Sequence, residues 1–153
     1  MILDTNYNSN KKDNNSAESS QRPPPGDLGG RVIKVHCPAT VANLVCGFDI
    51  LGLALNEPYD IMEVKLIDEP KVIIHNRDHF NLPTDPEKNV AGVVFLAAME
   101  KIDRQIGFEV TIEKLIMPGS GIGSSAASAA GAAVAANHLL GNVFSDEIGR
   151  AHI

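Results

Sequence analysis

Met117-Pro118-Gly119-Ser120-Gly121-Ile122-Gly123-Ser124-Ser125-Ala126-Ala127-Ser128 is the stretch on which the reading of this chain turns. Three glycines alternate with other residues, two serines follow, and an alanine-rich run begins. Alternating glycines let the backbone take positive φ and approach a ligand closely. The run from Ser124 predicts a helix with a serine hydroxyl as its cap. A glycine loop that feeds a helix N-terminus offers free N–H groups and the positive end of the helix dipole to an anion. The stretch therefore predicts a phosphate cradle.

Two better-known phosphate loops differ from it. The nucleotide-hydrolase loop ends in Gly-Lys-Ser/Thr, and no lysine is present here. The dinucleotide fingerprint requires glycine where Ser124 stands, although Asp146 and Glu147 follow at about the right distance. A plain strand-to-helix connection explains the glycines but not the paired serines. Their hydroxyls can cap the helix, touch a phosphate or reach Mg²⁺.

Outward from the loop, the order is strands, helix, strand, glycine loop, helix. Residues 31–36 are rich in β-branched side chains and predict a strand, which residues 37–43 interrupt with Pro38 and small polar residues. Residues 50–55 predict a second strand, and Asn56-Glu57-Pro58 a turn. Along 59–67, Asp60, Met62, Val64 and Leu66 alternate with Ile61, Glu63 and Lys65, the pattern of a strand with one solvated face. Residues 71–75 add a short strand. Asn89 is placed to cap a helix whose stripe runs through Val90, Val93, Val94, Ala97 and Ala98, widened by Phe95, Met99, Ile102 and Ile106 and stopped at Gly107. Residues 108–116 predict a strand, and 124–140 a helix stopped at Gly141. The order predicts an α+β layer, with helices on one face of a largely antiparallel sheet.

Residues 1–30 are dominated by Asn, Ser, Lys and Asp, close on Pro23-Pro24-Pro25-Gly26, and are expected to be disordered. A short proline-rich ligand is the functional alternative. One domain is expected over 31–146. Residues 147–153 show no periodicity and resemble a translated sequencing adapter; a genomic reading frame through them would remove that reading.

The 153 residues carry a formal net charge of −6, which argues against nucleic acid as the main partner. Cys37 and Cys46 form no Cys-x-x-Cys pattern, which suits a reducing, cytoplasmic setting. The polar N-terminus lacks the apolar segment of a signal peptide. Residues 115–137 carry no charge and are long enough to span a bilayer. Alanine, glycine and serine insert weakly, so a tightly packed interior helix is expected and no membrane partner. His75 and His79 have an i, i+4 spacing, but they lie in a predicted loop without the glutamate of a metalloprotease, and a solvated surface is expected there.

Two blocks carry a resemblance to a known family. Residues 118–128 resemble the Pro-x-x-x-Gly-Leu-Gly-Ser-Ser-Ala-Ala signature of the GHMP kinases, with Ile122 in place of leucine. Residues 38–55, Pro-Ala-Thr-Val-Ala-Asn-Leu-Val-Cys-Gly-Phe-Asp-Ile-Leu-Gly-Leu-Ala-Leu, resemble the homoserine kinase branch, departing at Val41, Val45 and Cys46. The likeness covers residues 32–142.

The resemblance implies a GHMP-kinase N-terminal domain of the ribosomal protein S5 domain 2-like fold, with ATP and Mg²⁺ as cofactors. The implied reaction is phosphorylation of the L-homoserine hydroxyl to O-phospho-L-homoserine, in threonine biosynthesis. It implies ATP contacts at Pro118, Gly119, Ser120, Gly121, Ile122, Gly123, Ser124, Ser125, Ala126, Ala127, Ser128 and Asn89, with Mg²⁺ at Ser125. It implies homoserine contacts at Asn43 and Asp49, the carboxylate suiting the ammonium group. Local readings stand beside these: a turn at Asp49, an Asx turn at Asn43 and a simple helix cap at Asn89. No side chain stands out as a general base.

The family's second half supplies an acidic Mg²⁺ ligand, arginine contacts and a closing domain, and it is absent from these residues. The chain is accordingly expected to be an N-terminal portion with little or no kinase activity alone, and the whole enzyme a homodimer. The alternatives are another GHMP kinase, acting on mevalonate or diphosphocytidyl-methylerythritol, or a non-catalytic nucleotide-binding fragment.

Overall fold

Asp60, Met62, Val64 and Leu66 are buried, whereas Ile61, Glu63, Lys65 and Ile67 stay half-exposed. This period of two marks a sheet covered on one face. The computed structural model describes residues 2–4, 32–48, 50–77, 79–102 and 105–144. Its elements are β1 (Ile2–Asp4), β2 (Val32–Ala42), a 3₁₀ turn (Val45–Gly47), β3 (Gly52–Ile67), β4 (Val72–Asn76), α1 (Val90–Glu100), β5 (Gly107–Glu113) and α2 (Ser124–Leu139). The strands lie in the order β1-β2-β3-β5-β4. Among the described residues only β4 and β5 pair in parallel, and the crossover between them carries α1. The two helices pack on each other, α2 against β2 and β3 and α1 against β4. The expected α+β layer is what forms.

The core is the seam between that sheet face and the helices. Ile33, Val35, Met62, Val64 and Val110 meet Ala91, Phe95, Ala132 and Ala135, and the Phe95 and Phe108 rings sit 4.8 Å apart. Small residues let α2 lie close to the sheet: a Cβ on Gly131 would overlap Cys37 Sγ. The uncharged stretch is thus a loop over 115–123 followed by a helix packed on the sheet, and among the described residues no helix is long and apolar enough to cross a membrane. Burial foremost, with the Asp60 carboxylate adding, pushes the Cys37 thiol up to about 12, so it stays protonated and unreactive at neutral pH.

Several elements differ from expectation, each for a local reason. Ile2–Asp4, within the segment expected to be disordered, pairs with Lys34, Val35 and His36, occupying an edge of β2 that would otherwise expose backbone groups. Residues 5–30 and 145–153, including the adapter-like tail, lie outside the described residues. The first long strand does not stop at His36 but runs on through Pro38. There β2 has β3 on one side and no further pairing to β1, so a residue without an N–H is tolerated. The expected turn at Asn56-Glu57-Pro58 is instead a bulge. Residues 55–58 have no partner in the ladder, while β2 continues from Pro38 to Thr40.

Helix α1 ends at Glu100, and Gly107 opens β5 rather than stopping the helix. A Cβ there would overlap the Lys71 carbonyl, which is why the strand begins on glycine. The buried stripe of α1 is Ala91, Gly92, Phe95 and Ala98, and Val90 and Val93 face outward. The close approach of Gly92 to the Pro86 backbone sets that rotation.

The uncovered sheet face carries a ladder of charges. Lys34 Nζ lies 3.7 Å and Arg77 Nη1 3.1 Å from the Glu63 carboxylate, and Lys65 Nζ lies 2.9 Å and His75 Nε2 3.3 Å from that of Glu109. The hydrogen bond from Lys65, foremost, holds the Glu109 carboxyl below its ordinary 4.5, against partial desolvation. A depressed folded pKa contributes stability that is present above the unfolded value and is lost as pH falls through the folded one. Exposed pairs of this kind are worth about 0–1 kcal/mol. Lys65→Met is expected to lower unfolding free energy at neutral pH by no more than that, and to flatten its decline below about pH 5. Urea titrations across pH check this; an unchanged acid limb would contradict it.

Candidate functional site

The loop after β5 is built on three left-handed residues: Gly119, Gly121 and Gly123 have φ of 78°, 79° and 74°. Around Gly119 and Gly121 a Cβ would meet nothing within 4 Å, so the backbone there borders open space. At Gly123 a Cβ would overlap Thr40 Oγ1, because the end of the loop is pressed onto β2. Thr40 N–H donates to the Ile122 carbonyl at 3.0 Å, fixing that contact.

Gly123, not a serine, is the N-cap of α2, and no side chain caps the helix. This corrects the expected hydroxyl cap. Ser124 is already the first helical residue, and its Oγ lies 3.3 Å from the Ile116 carbonyl, to which it donates. The first intrahelical bond from this end runs from Ala127 N–H to Gly123 O at 2.8 Å. The N–H groups of Ser124, Ser125 and Ala126 therefore have no intrahelical acceptor. They stand at the positive end of a 16-residue helix.

A shallow cleft of about 110 Å³ opens beside this helix end. Pro118, Ser124, Ser125 and Ser128 form one wall, and Leu82, Pro83, Asn89 and Val90 the other, with Lys88, Ile112 and Lys114 completing the lining. The fold thus brings Asn89 into one cleft with the serines of the loop, 35 residues on in the case of Ser124. Asn89 is buried, and both ends of its amide are bonded: Oδ1 accepts from Ala91 N–H at 3.0 Å and Gly92 N–H at 3.4 Å, and Nδ2 donates one N–H to the Pro83 carbonyl at 2.7 Å. It caps α1 and ties the facing wall together. Val90, half-exposed on the outward side of α1, gives that wall an apolar surface.

The remaining candidates lie elsewhere. Asn43 follows β2 with φ 59°, exposed and away from the cleft lining, a conformation that suits the local Asx reading. Asp49 lies outside the described residues. His75 belongs to β4 and faces Glu109. Among the described residues no three His, Cys, Asp or Glu side chains converge on a metal-sized site.

Sequence reasoning missed a buried ion pair beneath the loop. Asp60 and Lys114 are nearly inaccessible, with side chains 2% and 3% exposed, and they bond through Oδ2 and Nζ. Asp60 Oδ1 also accepts from Leu115 N–H and Ile116 N–H, each at 2.9 Å. Lys114 Nζ also donates to the Ser124 carbonyl at 3.1 Å and Ser128 Oγ at 3.0 Å. The signal lay in the alternation: Asp60 shares the phase of Met62 and Val64, and Lys114 that of Val110 and Ile112.

With this geometry in hand, the comparisons with known proteins are decisive. Residues 89–152 match the family described as GHMP kinases N terminal domain. A homoserine kinase of Methanocella arvoryzae is 47% identical over 115 residues, covering 75% of this chain and 36% of the relative. Across three quarters of its length the chain is similar to a homoserine kinase, and residues 89–152 carry the GHMP kinase N-terminal domain. A homoserine kinase of Methanococcus maripaludis is 46% identical over 108 residues, 70% of this chain and 36% of the relative. Among solved GHMP kinases, the crystal structure of homoserine kinase from Cytophaga hutchinsonii superposes with a TM-score of 0.74 at 37% identity, over 88% of this chain and 42% of that one. The mevalonate kinase of Methanococcus jannaschii, at 17% identity and a TM-score of 0.58, shares the fold alone. The chain spans little more than a third of the length of the curated homoserine kinases it matches.

Proposed function

We propose that these residues form the nucleotide-holding part of an ATP-dependent homoserine kinase. The reaction would transfer the γ-phosphoryl group of ATP to the L-homoserine hydroxyl, giving O-phospho-L-homoserine for threonine synthesis. One observation carries the reading: two open positive-φ glycines and three N–H groups without intrahelical acceptors lie close together along the chain at the head of α2.

Phosphoryl transfer depends mostly on positioning and electrostatic stabilisation. Main-chain N–H groups from Gly119 to Ala126 suit the β- and γ-phosphates, as at other helix N-termini. Ser120 and Ile122 contribute backbone there, Ser124 and Ser128 hold the first turn of α2, and Ala127 keeps it narrow. The Pro118 and Val90 walls suit the flat apolar nucleoside, with Asn89 fixing the facing wall. The exposed Ser125 hydroxyl suits Mg²⁺, which when bound would neutralise charge on the phosphates. Asp49 is assigned to the homoserine ammonium and Asn43 to a neutral hydrogen bond near it. The free thiols Cys37 and Cys46 suit a reducing cytoplasm.

A chimaera tests this. The matching segment replaces its counterpart in the Methanocella arvoryzae relative, and ADP and phosphohomoserine are followed with homoserine or mevalonate as acceptor. Homoserine turnover is expected, and Asp49→Asn is expected to raise KM for homoserine more than it lowers kcat. A folded chimaera that phosphorylates mevalonate, or neither acceptor, would overturn the assignment.

A further inference from the structure

We infer that Asp60 and Lys114 are positioning residues for the phosphate loop, tying its two ends so that its amides hold one arrangement. The inference rests on the reading that this loop takes the phosphates of a nucleotide. Asp60 stands on β3, whose place in the sheet is fixed by pairing on both sides. Its Oδ1 grips Leu115 and Ile116, where the chain leaves β5, and its Oδ2 holds Lys114. Lys114 Nζ reaches the far end, the Ser124 carbonyl and Ser128 Oγ in the first turn of α2. Ser124 Oγ closes the ring onto the Ile116 carbonyl at 3.3 Å. Residues 117–122 between these anchors carry two backbone bonds, Ser120 N–H to the Met117 carbonyl and Thr40 N–H to the Ile122 carbonyl, and Gly123 adds only the helix-opening bond from Ala127 N–H. Their shape is set chiefly from the ends.

The chemistry is unusual for a merely structural tie. A cation at a helix N-terminus opposes the dipole. A buried ion pair is also no stronger a fastening than a well-packed apolar pair, since desolvation offsets its Coulomb attraction. What an apolar pair cannot do is hold two N–H groups on one side and a carbonyl and a hydroxyl on the other. That is what this pair does, at the helix end that lines the cleft. Lys114 borders the cleft, but its ammonium is committed to Asp60, the Ser124 carbonyl and Ser128 Oγ, so the role inferred for it is to hold the loop.

The test compares the wild-type protein with Lys114→Met, the doubly neutral Lys114→Met/Asp60→Asn, and Ser128→Ala, which removes one acceptor and leaves both charges. Amide order parameters are measured for residues 117–126 and for β3 and β5, together with affinities for ATP and for adenosine. The doubly neutral variant is expected to keep β3 and β5 ordered while the loop loosens. Its ATP affinity should fall about tenfold or more, with adenosine affinity unchanged within about twofold. Ser128→Ala should show the same pattern at about threefold, and it decides the matter where the Lys114 variants do not fold. Unchanged loop order overturns the inference, as does a parallel loss of ATP and adenosine affinity together with general disorder. A loop that loosens in a protein whose wild type prefers ATP no more than adenosine would uphold the tie and overturn the phosphate reading instead.

Discussion

Gly121→Asp is expected to abolish binding of ATP while leaving the fold nearly intact. A Cβ at this position meets nothing within 4 Å, so the new side chain overlaps no protein atom. Its cost to stability is that of a side chain at φ 79°, about 1–2 kcal/mol. The same open space is where the phosphates are proposed to lie. A carboxylate there would occupy it and set like charge against the triphosphate in a partly desolvated site. The expected loss of ATP affinity is at least about 100-fold, or about 2.7 kcal/mol. Adenosine should bind as it does to the wild type. Isothermal titration with both ligands, beside urea unfolding of the same preparation, separates the two effects. A variant that unfolds easily yet retains ATP affinity would contradict the assignment of that space.

Gly123→Ala is expected to do the opposite, striking the fold first. This residue is also left-handed, at φ 74°, but its Cβ would overlap Thr40 Oγ1 and lie 3.3 Å from the Thr40 carbonyl. Conformational strain and overpacking act together here, for about 2–4 kcal/mol in urea unfolding. Thr40→Ala should recover part of that loss in the double variant, because it removes the clashing hydroxyl and leaves the φ strain. The coupling energy of the double-mutant cycle reads the contact between the loop and β2. Additive losses would mean that the loop does not press on Thr40 as described.

Much of this architecture was legible from periodicity. The phase of residues 60–66 marked the covered face of the sheet, Asn89 marked the start of α1, and the alanines from Ser124 marked a helix that packs closely. The glycine alternation located the left-handed positions correctly. What stayed hidden depended on neighbours far along the chain. Pro38 looked like a strand end because no local feature tells that β2 is paired on only one side there. The outward turn of Val90 and Val93 follows from the Gly92 contact with Pro86, which a stripe of apolar residues does not encode. Serine seemed the natural cap of α2, yet the left-handed Gly123 reorients the chain one residue earlier, and the Ser124 hydroxyl goes to Ile116. Asp60 and Lys114 fell in the buried phase of their strands, but charged residues are read as solvated until a partner is seen across the fold.

Amide mapping by NMR with ATP, and with adenosine as the control, tests the central claim most directly. That claim is that main-chain N–H groups around the glycine loop hold a nucleotide's phosphates. The predicted result is that ATP moves the amide signals of residues 119–126 most, while adenosine moves only those of the facing wall around 89–90. Equal shifts with both ligands, or ATP shifts confined to other parts of the sheet, would contradict it.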